Sequence, residues 1–249
     1  MAVGEGQDYS LSGCEKKGLY KAIFSRRDVR SHFVAGKDIP ADVLARILFA
    51  AHHAPSVGFS QPWNFILVRD LQTRQRVRES FLKEREKSIM MLEGESERQE
   101  KYRRFKLEGI IESALNICVT YDPSRFGPFV LGRTSIEETG VYSVCCAIQN
   151  LWLAARAEGI GLGWVSILDN DELVKIIKAP PHVRPVAYLC LGYTSGFADK
   201  PDLEKAGWIS RMNLSEVICY EEWGEKCTDK NWRELAVAVQ DAQSHEGNI

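Results

Sequence analysis

The chain lacks an uninterrupted apolar run of about 18 residues, the minimum for a helix that crosses a bilayer, and no basic-then-apolar leader opens it. Those two absences lead to the expectation of a cytoplasmic protein with no membrane partner. It also lacks a charge excess. The balance of 32 basic and 34 acidic residues leaves a formal charge of -2, too weak a field to grip nucleic acid. Between residues 72 and 106 Lys and Arg are frequent, but Glu79, Glu84, Glu86 and Glu93 alternate with them, the pattern of a solvated helix face. The seven cysteines (14, 118, 145, 146, 190, 219 and 227) contain no C-x-x-C pair. Five lie in or beside apolar runs and are expected to be buried, reduced thiols. The five histidines (32, 52, 53, 182 and 245) form no zinc-protease pair and no Cys-His set, so no metal site is expected. His52 and His53 are adjacent, point to different helix faces and suit structural roles. There is no G-x-S-x-G elbow and no Walker loop.

What remains is a chain of 249 residues, 45% hydrophobic, long enough to bury a substantial core and read as one domain over 15–225. The segments 1–14 and 240–249 are small, polar and expected to be loosely ordered. Apolar spacing predicts helices over 15–25, 41–53, most of 71–112 with a break near Gly94, 138–158 and 171–178. Asp38 is the N-cap candidate for the second of these. Strands are predicted at 64–70, 114–121, 162–168 and 186–193. Helix 138–158 is apolar on several faces, which suggests that part of it packs against a partner chain. The alternation predicts an α+β or three-layer domain, as a dimer. Residues 89–92 form an apolar island that suits a lid or an anchor.

Arg26, Arg27 and Arg30 surround Asp28 and Val29 at the end of the first helix. Three guanidinium groups suit a phosphate, whose oxygens they bind two at a time. The acid repels that phosphate; either it neutralises an arginine in a surface ion pair or it has chemistry to do. Gly159, Gly161 and Gly163 invite a dinucleotide fingerprint, but the order here is helix, glycines, strand rather than strand, glycines, helix. The other use of such glycines is close approach, by another chain segment or by a flat ligand. Both stay open.

These segments resemble the FMN-dependent nitroreductase superfamily: R-R-x-x-R at 26–30, A-P-S at 54–56 leading into Q-P-W at 61–63, and the glycine-rich strand entry at 161–166. The forms R-R-D-V-R, A-P-S-V-G-F-x-Q-P-W-N-F, L-E-G-I, N-L-W-L-A-A-R-A-E-G and G-W-V-S-I are similar to one branch, the 5,6-dimethylbenzimidazole synthases (BluB type), over about 15–225. The resemblance implies a nitroreductase-like three-layer fold, a central mixed β-sheet flanked by helices, with a buried central helix at a homodimer interface. It implies that reduced FMN is the substrate and O2 the co-substrate, giving the lower ligand of cobalamin and erythrose 4-phosphate. NAD(P)H would act indirectly, through a flavin reductase.

Carried onto this sequence, the resemblance implies that Arg26, Arg27 and Arg30, with Val29 between them and Arg211 from the C-terminal segment, hold the phosphate end of FMN. Ser56 and Gly58 would contact the flavin, Gly163 would let backbone approach the ring, and Met91 matches a lid position. Asp28 stands where ordinary nitroreductases usually carry a small hydroxyl residue, and is implied as a base or proton shuttle near ribityl C1′. Ser166 is implied to hydrogen-bond the flavin near N5. The competing functions are an NAD(P)H-dependent FMN nitroreductase or quinone reductase, and a flavin-binding protein without turnover. Neither needs an acid at 28.

Overall fold

The structure is a computed structural model and describes residues 9–226 and 230–244. Cys227, His245 and the outermost parts of both termini lie outside the described residues. The described chain forms two compact units, one of Ser25–Pro201 and one drawn from the two chain ends.

In the larger unit, α2 (Ala41–His52), β1 (Trp63–Val68), α3 (Leu71–Met90), α4 (Ser96–Arg104) and β2 (Leu115–Tyr121) are followed by α5 (Thr139–Ala157), β3 (Ile160–Val165), α6 (Asn170–Ile177) and β4 (Arg184–Tyr193). The end unit holds most of α1 (Gly13–Ser25), with α7 (Asp202–Lys205) and α8 (Arg233–Ser244). Residues 13–14 and 240–244, placed in the loosely ordered termini by sequence, lie in α1 and α8.

The four strands form one sheet in the order β1-β2-β4-β3. The sheet expected to be mixed is antiparallel in all three strand pairs; its parallel component is a single bridge between Asp28 and Leu162. Every residue of β2 is buried, as a central strand covered on both faces requires. One face packs on α2 and α5 through Ile47, Ile148, Leu151, Ile117 and Leu189. The other packs on α3 and α6 through Val77, Phe81, Leu173, Ile176 and Tyr188. The result is the three-layer α+β domain anticipated from the alternating pattern.

Local chemistry sets the boundaries. Asp70 caps α3 by accepting from Thr73 N–H at 2.7 Å, and Asp169 caps α6 by accepting from Glu172 N–H at 2.9 Å. Gly159, with φ +73°, ends α5, and β3 begins immediately at Ile160, two residues before the predicted start. Asp38 does not cap α2; Pro40 occupies that position with no side-chain cap. The long helix predicted to 112 stops at Arg104, because Arg74, only 7% exposed, takes the carbonyls of Ile110, Ile111 and Ser113 that a helix would have used itself.

The cysteine expectation holds in part. Cys118 and Cys190 are buried, and burial pushes both thiols up to about 12. Cys14, Cys146 and Cys219 are exposed, and at Cys146 and Cys219 a neighbouring apolar run did not report burial. His52 and His53 have structural partners: His52 Nδ1 accepts from Trp63 Nε1 at 3.2 Å, and His53 Nδ1 lies 2.8 Å from Phe49 O.

Candidate functional site

The arginine segment follows α1 and runs along the open edge of β3. Val29 N–H donates to Leu162 O at 2.8 Å, which makes the parallel bridge. The next rung is completed by a side chain. Trp164 N–H donates to Asp28 Oδ1 at 3.1 Å, while Arg30 Nη2 donates to Asp28 Oδ2 at 2.5 Å. Asp28 is thus fixed at both oxygens, with its side chain 31% exposed and that of Arg30 17% exposed. The ion-pair explanation for this acid is correct as far as it goes, but an exposed surface pair would not also have closed a strand edge.

Glycine permits this fit. A Cβ on Gly163 would sit 2.3 Å from Val29 O, and one on Gly161 would sit 3.0 Å from Val29 Cγ1. Of the two uses left open for these glycines, close approach by another chain segment accounts for both. Gly109, in the L-E-G-I turn, admits the same segment from another side: its Cβ would sit 3.1 Å from Arg30 O and 2.6 Å from the Phe33 ring.

The other two arginines also have defined seats. Arg26 lies over the Trp152 ring at 4.5 Å, and the Trp152 and Trp164 rings are 6.5 Å apart. Arg27 donates to Arg26 O at 2.7 Å and to Asp199 O. Two buried donors at this locus, Arg30 Nε and Trp152 Nε1, have no acceptor among the described residues. Orphaned donors of this kind call for an acceptor-rich ligand or a water, and a phosphorylated flavin fits them.

Ser56 and Gly58 form a separate locus at the other end of α5. Ser56 Oγ accepts from Gln61 N–H, and Val57 N–H donates to Ser143 Oγ, both at 3.0 Å. Gly58 has φ +52°, and a Cβ there would sit 2.7 Å from Leu131 O. Phe59 and Gln61 also adopt positive φ, at 54° and 44°. Ser143 and Trp152 are nine residues apart on α5, about 14 Å at 1.5 Å per residue.

Ser166 is exposed and lies just beyond β3. It is two residues past the Trp164 rung, about 7 Å along an extended chain. Met91 stands elsewhere, in the turn after α3, 84% exposed beside a buried Ile89. Arg211 belongs to the end unit, exposed in an irregular stretch before the short turn at Leu214–Glu216.

Sequence reasoning missed two contributors. The Trp164 partner of Asp28 is a backbone N–H and leaves no signal in residue type. Arg156 has one: it follows Trp152 at i+4 on the apolar helix, where a charge is out of pattern. Its Nε donates to Ser25 O at 3.2 Å and its guanidinium lies 4.1 Å from the Phe197 ring centre. Burial, and then the charge of Arg27, hold its pKa below the ordinary arginine value.

A family model described as "Nitroreductase family" matches residues 23–193. Among characterised relatives, the 5,6-dimethylbenzimidazole synthase of Rhodospirillum rubrum is 43% identical over 197 residues, covering 79% of this chain and 91% of the relative. The protein of the same name from Rhodobacter capsulatus is 38% identical over 199 residues, covering 79% and 93%. Among solved structures, an iodotyrosine deiodinase bound to FMN and 3-iodo-L-tyrosine superposes with a TM-score of 0.63 at 23% identity, over 82% of this chain and 98% of that one. A BluB-like flavoprotein from Clostridium difficile gives 0.61 at 19% identity, over 82% and 99%. The two structural likenesses speak for the fold, and the family match with the high-identity relatives for lineage: the chain belongs to the nitroreductase family.

Proposed function

We propose that this protein fragments reduced FMN with O2 to yield 5,6-dimethylbenzimidazole, the lower ligand of cobalamin, with erythrose 4-phosphate as the remnant. The observation that carries the reading is Asp28, an acid fixed by Trp164 N–H and Arg30 inside a phosphate-binding segment. The 43% identity to the Rhodospirillum rubrum synthase supports it. FMN as reversible cofactor asks nothing of an acid here, whereas cleavage of its ribityl chain requires a proton to be moved.

The reduced flavin supplies electrons to O2 and is itself the molecule cut. Arg26, Arg27 and Arg30 grip the phosphate, with Val29 anchoring their segment to β3. Asp28 would then lie beside the ribityl chain. The hydrogen bonds from Trp164 N–H and Arg30 orient the Asp28 carboxylate. The carboxylate so held takes a proton at ribityl C1′. Ser166, beyond the same end of β3, hydrogen-bonds the ring near N5.

Ser56 and Gly58 contact the ring from their loop, and Met91 closes over it. Because that loop is about 14 Å along α5 from the arginine segment, a cytoplasmic homodimer packed through α5, with flavin at the interface, lets one protomer supply each locus. A separate flavin reductase delivers FMNH2 at the expense of NAD(P)H.

Incubation with FMN, NADPH, a flavin reductase and O2, followed by mass spectrometry, is expected to show 5,6-dimethylbenzimidazole, and none in the tube without reductase. Rapid NADPH consumption by the protein alone, with flavin intact, would instead identify a conventional FMN reductase.

A further inference from the structure

Arg30, the arginine nearest the acid, can grip the phosphate only with the donors that Asp28 leaves it. Its Nη2 is committed to Asp28 at 2.5 Å, so the pair contributes no net charge toward a phosphate dianion. Arg156 is differently placed. Its guanidinium has no carboxylate partner among the described residues: its Nε donates to the carbonyl of Ser25, one residue before the arginine segment, and its flat face lies on Phe197. Those interactions orient the group and leave both Nη nitrogens available.

Trp152 stands one turn earlier on the same face of α5, 8% exposed, with its Nε1–H unpartnered and Arg26 stacked on its ring. α5 therefore brings a buried donor without an acceptor among the described residues, Trp152 Nε1, and a guanidinium hydrogen-bonded to Ser25 O to the neighbourhood of the arginine segment. Packing a second guanidinium near Arg27 is unfavourable unless an anion lies between them, and the depressed pKa of Arg156, set by burial and then by Arg27, reports that cost.

We propose that Arg156 is a phosphate-binding residue, supplying the charge that Arg30 gives up to Asp28 and setting the preference of the site for FMN over riboflavin. The inference rests on the flavin reading above.

Binding of oxidised FMN and of riboflavin, measured by quenching of flavin fluorescence, tests it in the wild type, Arg156→Gln and Arg156→Lys. Arg156→Gln removes a charge-assisted hydrogen bond to phosphate and should weaken FMN by about tenfold or more while leaving riboflavin within about twofold. Arg156→Lys, which keeps the charge, should recover part of that affinity, and inorganic phosphate should compete with FMN less well in Arg156→Gln than in the wild type. Equal weakening of both flavins would make Arg156 a strut between Ser25 and Phe197 and overturn the proposal, as would unchanged FMN affinity. Failure of the wild type to bind either flavin is a different result: it removes the flavin reading itself, and the phosphate role with it.

Discussion

The β3 edge and the 56–61 loop both carry motif glycines, yet they use them in opposite ways. At β3, Gly161 and Gly163 have ordinary strand geometry, and what matters is the missing side chain, whose space Val29 occupies. In the loop, Gly58 needs the freedom of positive φ as well as the space beside Leu131. The first region is a rigid rack, with charged side chains pinned to a strand by hydrogen bonds. The second is a turn strained at Phe59 and Gln61, held by Ser56 and Ser143. In the function proposed above, charge and proton chemistry fall to the rack, where small displacements are costly, and the loop adds contact with a flat ring.

The sharpest way to break this contrast is Asp28→Asn. Asparagine can still accept from Trp164 N–H, so the rack survives, but the charge and the base are gone. Benzimidazole formation should fall by about 10²- to 10⁴-fold with FMN still bound; undiminished product would return Asp28 to a purely structural role. Next comes Gly163→Ala. Its Cβ meets backbone, not a movable side chain, so a loss of about 2–3 kcal/mol is expected, or roughly 4–12 °C in Tm, accompanied by weaker FMN binding. A melting curve matching the wild type would show that the strand edge is softer than a rack.

Gly58→Ala should cost a comparable amount, about 2–3 kcal/mol, because its Cβ meets the Leu131 backbone and the residue keeps positive φ, and in the proposed arrangement, where the loop meets the ring, it should weaken FMN and riboflavin alike. Selective loss of FMN in this variant would merge the two regions into one. Ser166→Ala, at an exposed position, should leave Tm within about 2 °C, because surface changes seldom exceed about 0.5 kcal/mol, while raising futile flavin oxidation relative to fragmentation. An unchanged product ratio removes Ser166 from the chemistry.

Helix periodicity and apolar runs make the layers legible in sequence, down to the centre of each main element. Boundaries fail where long-range interactions override local preference. The helix predicted to 112 ends early because Arg74, some 36 residues away, competes for the carbonyl of Ile110, and no local pattern encodes that. The arginine segment is legible because its chemistry lies in residue type. The rung from Trp164 is not, since backbone donors are common to almost every residue. The glycines are visible but their purpose is ambiguous: spacing cannot tell a flavin from Val29 as the group that approaches. Exposed Cys146 shows the same limit, for α5 is apolar enough that sequence alone places every thiol on it inside.

The proposed function requires that flavin be consumed at the rack rather than recycled. Protein loaded with one equivalent of FMNH2 without oxygen and then opened to air tests it directly, with intact flavin and benzimidazole quantified together. Each flavin lost is expected to appear as 5,6-dimethylbenzimidazole. Full recovery of intact FMN, with no benzimidazole, would contradict it.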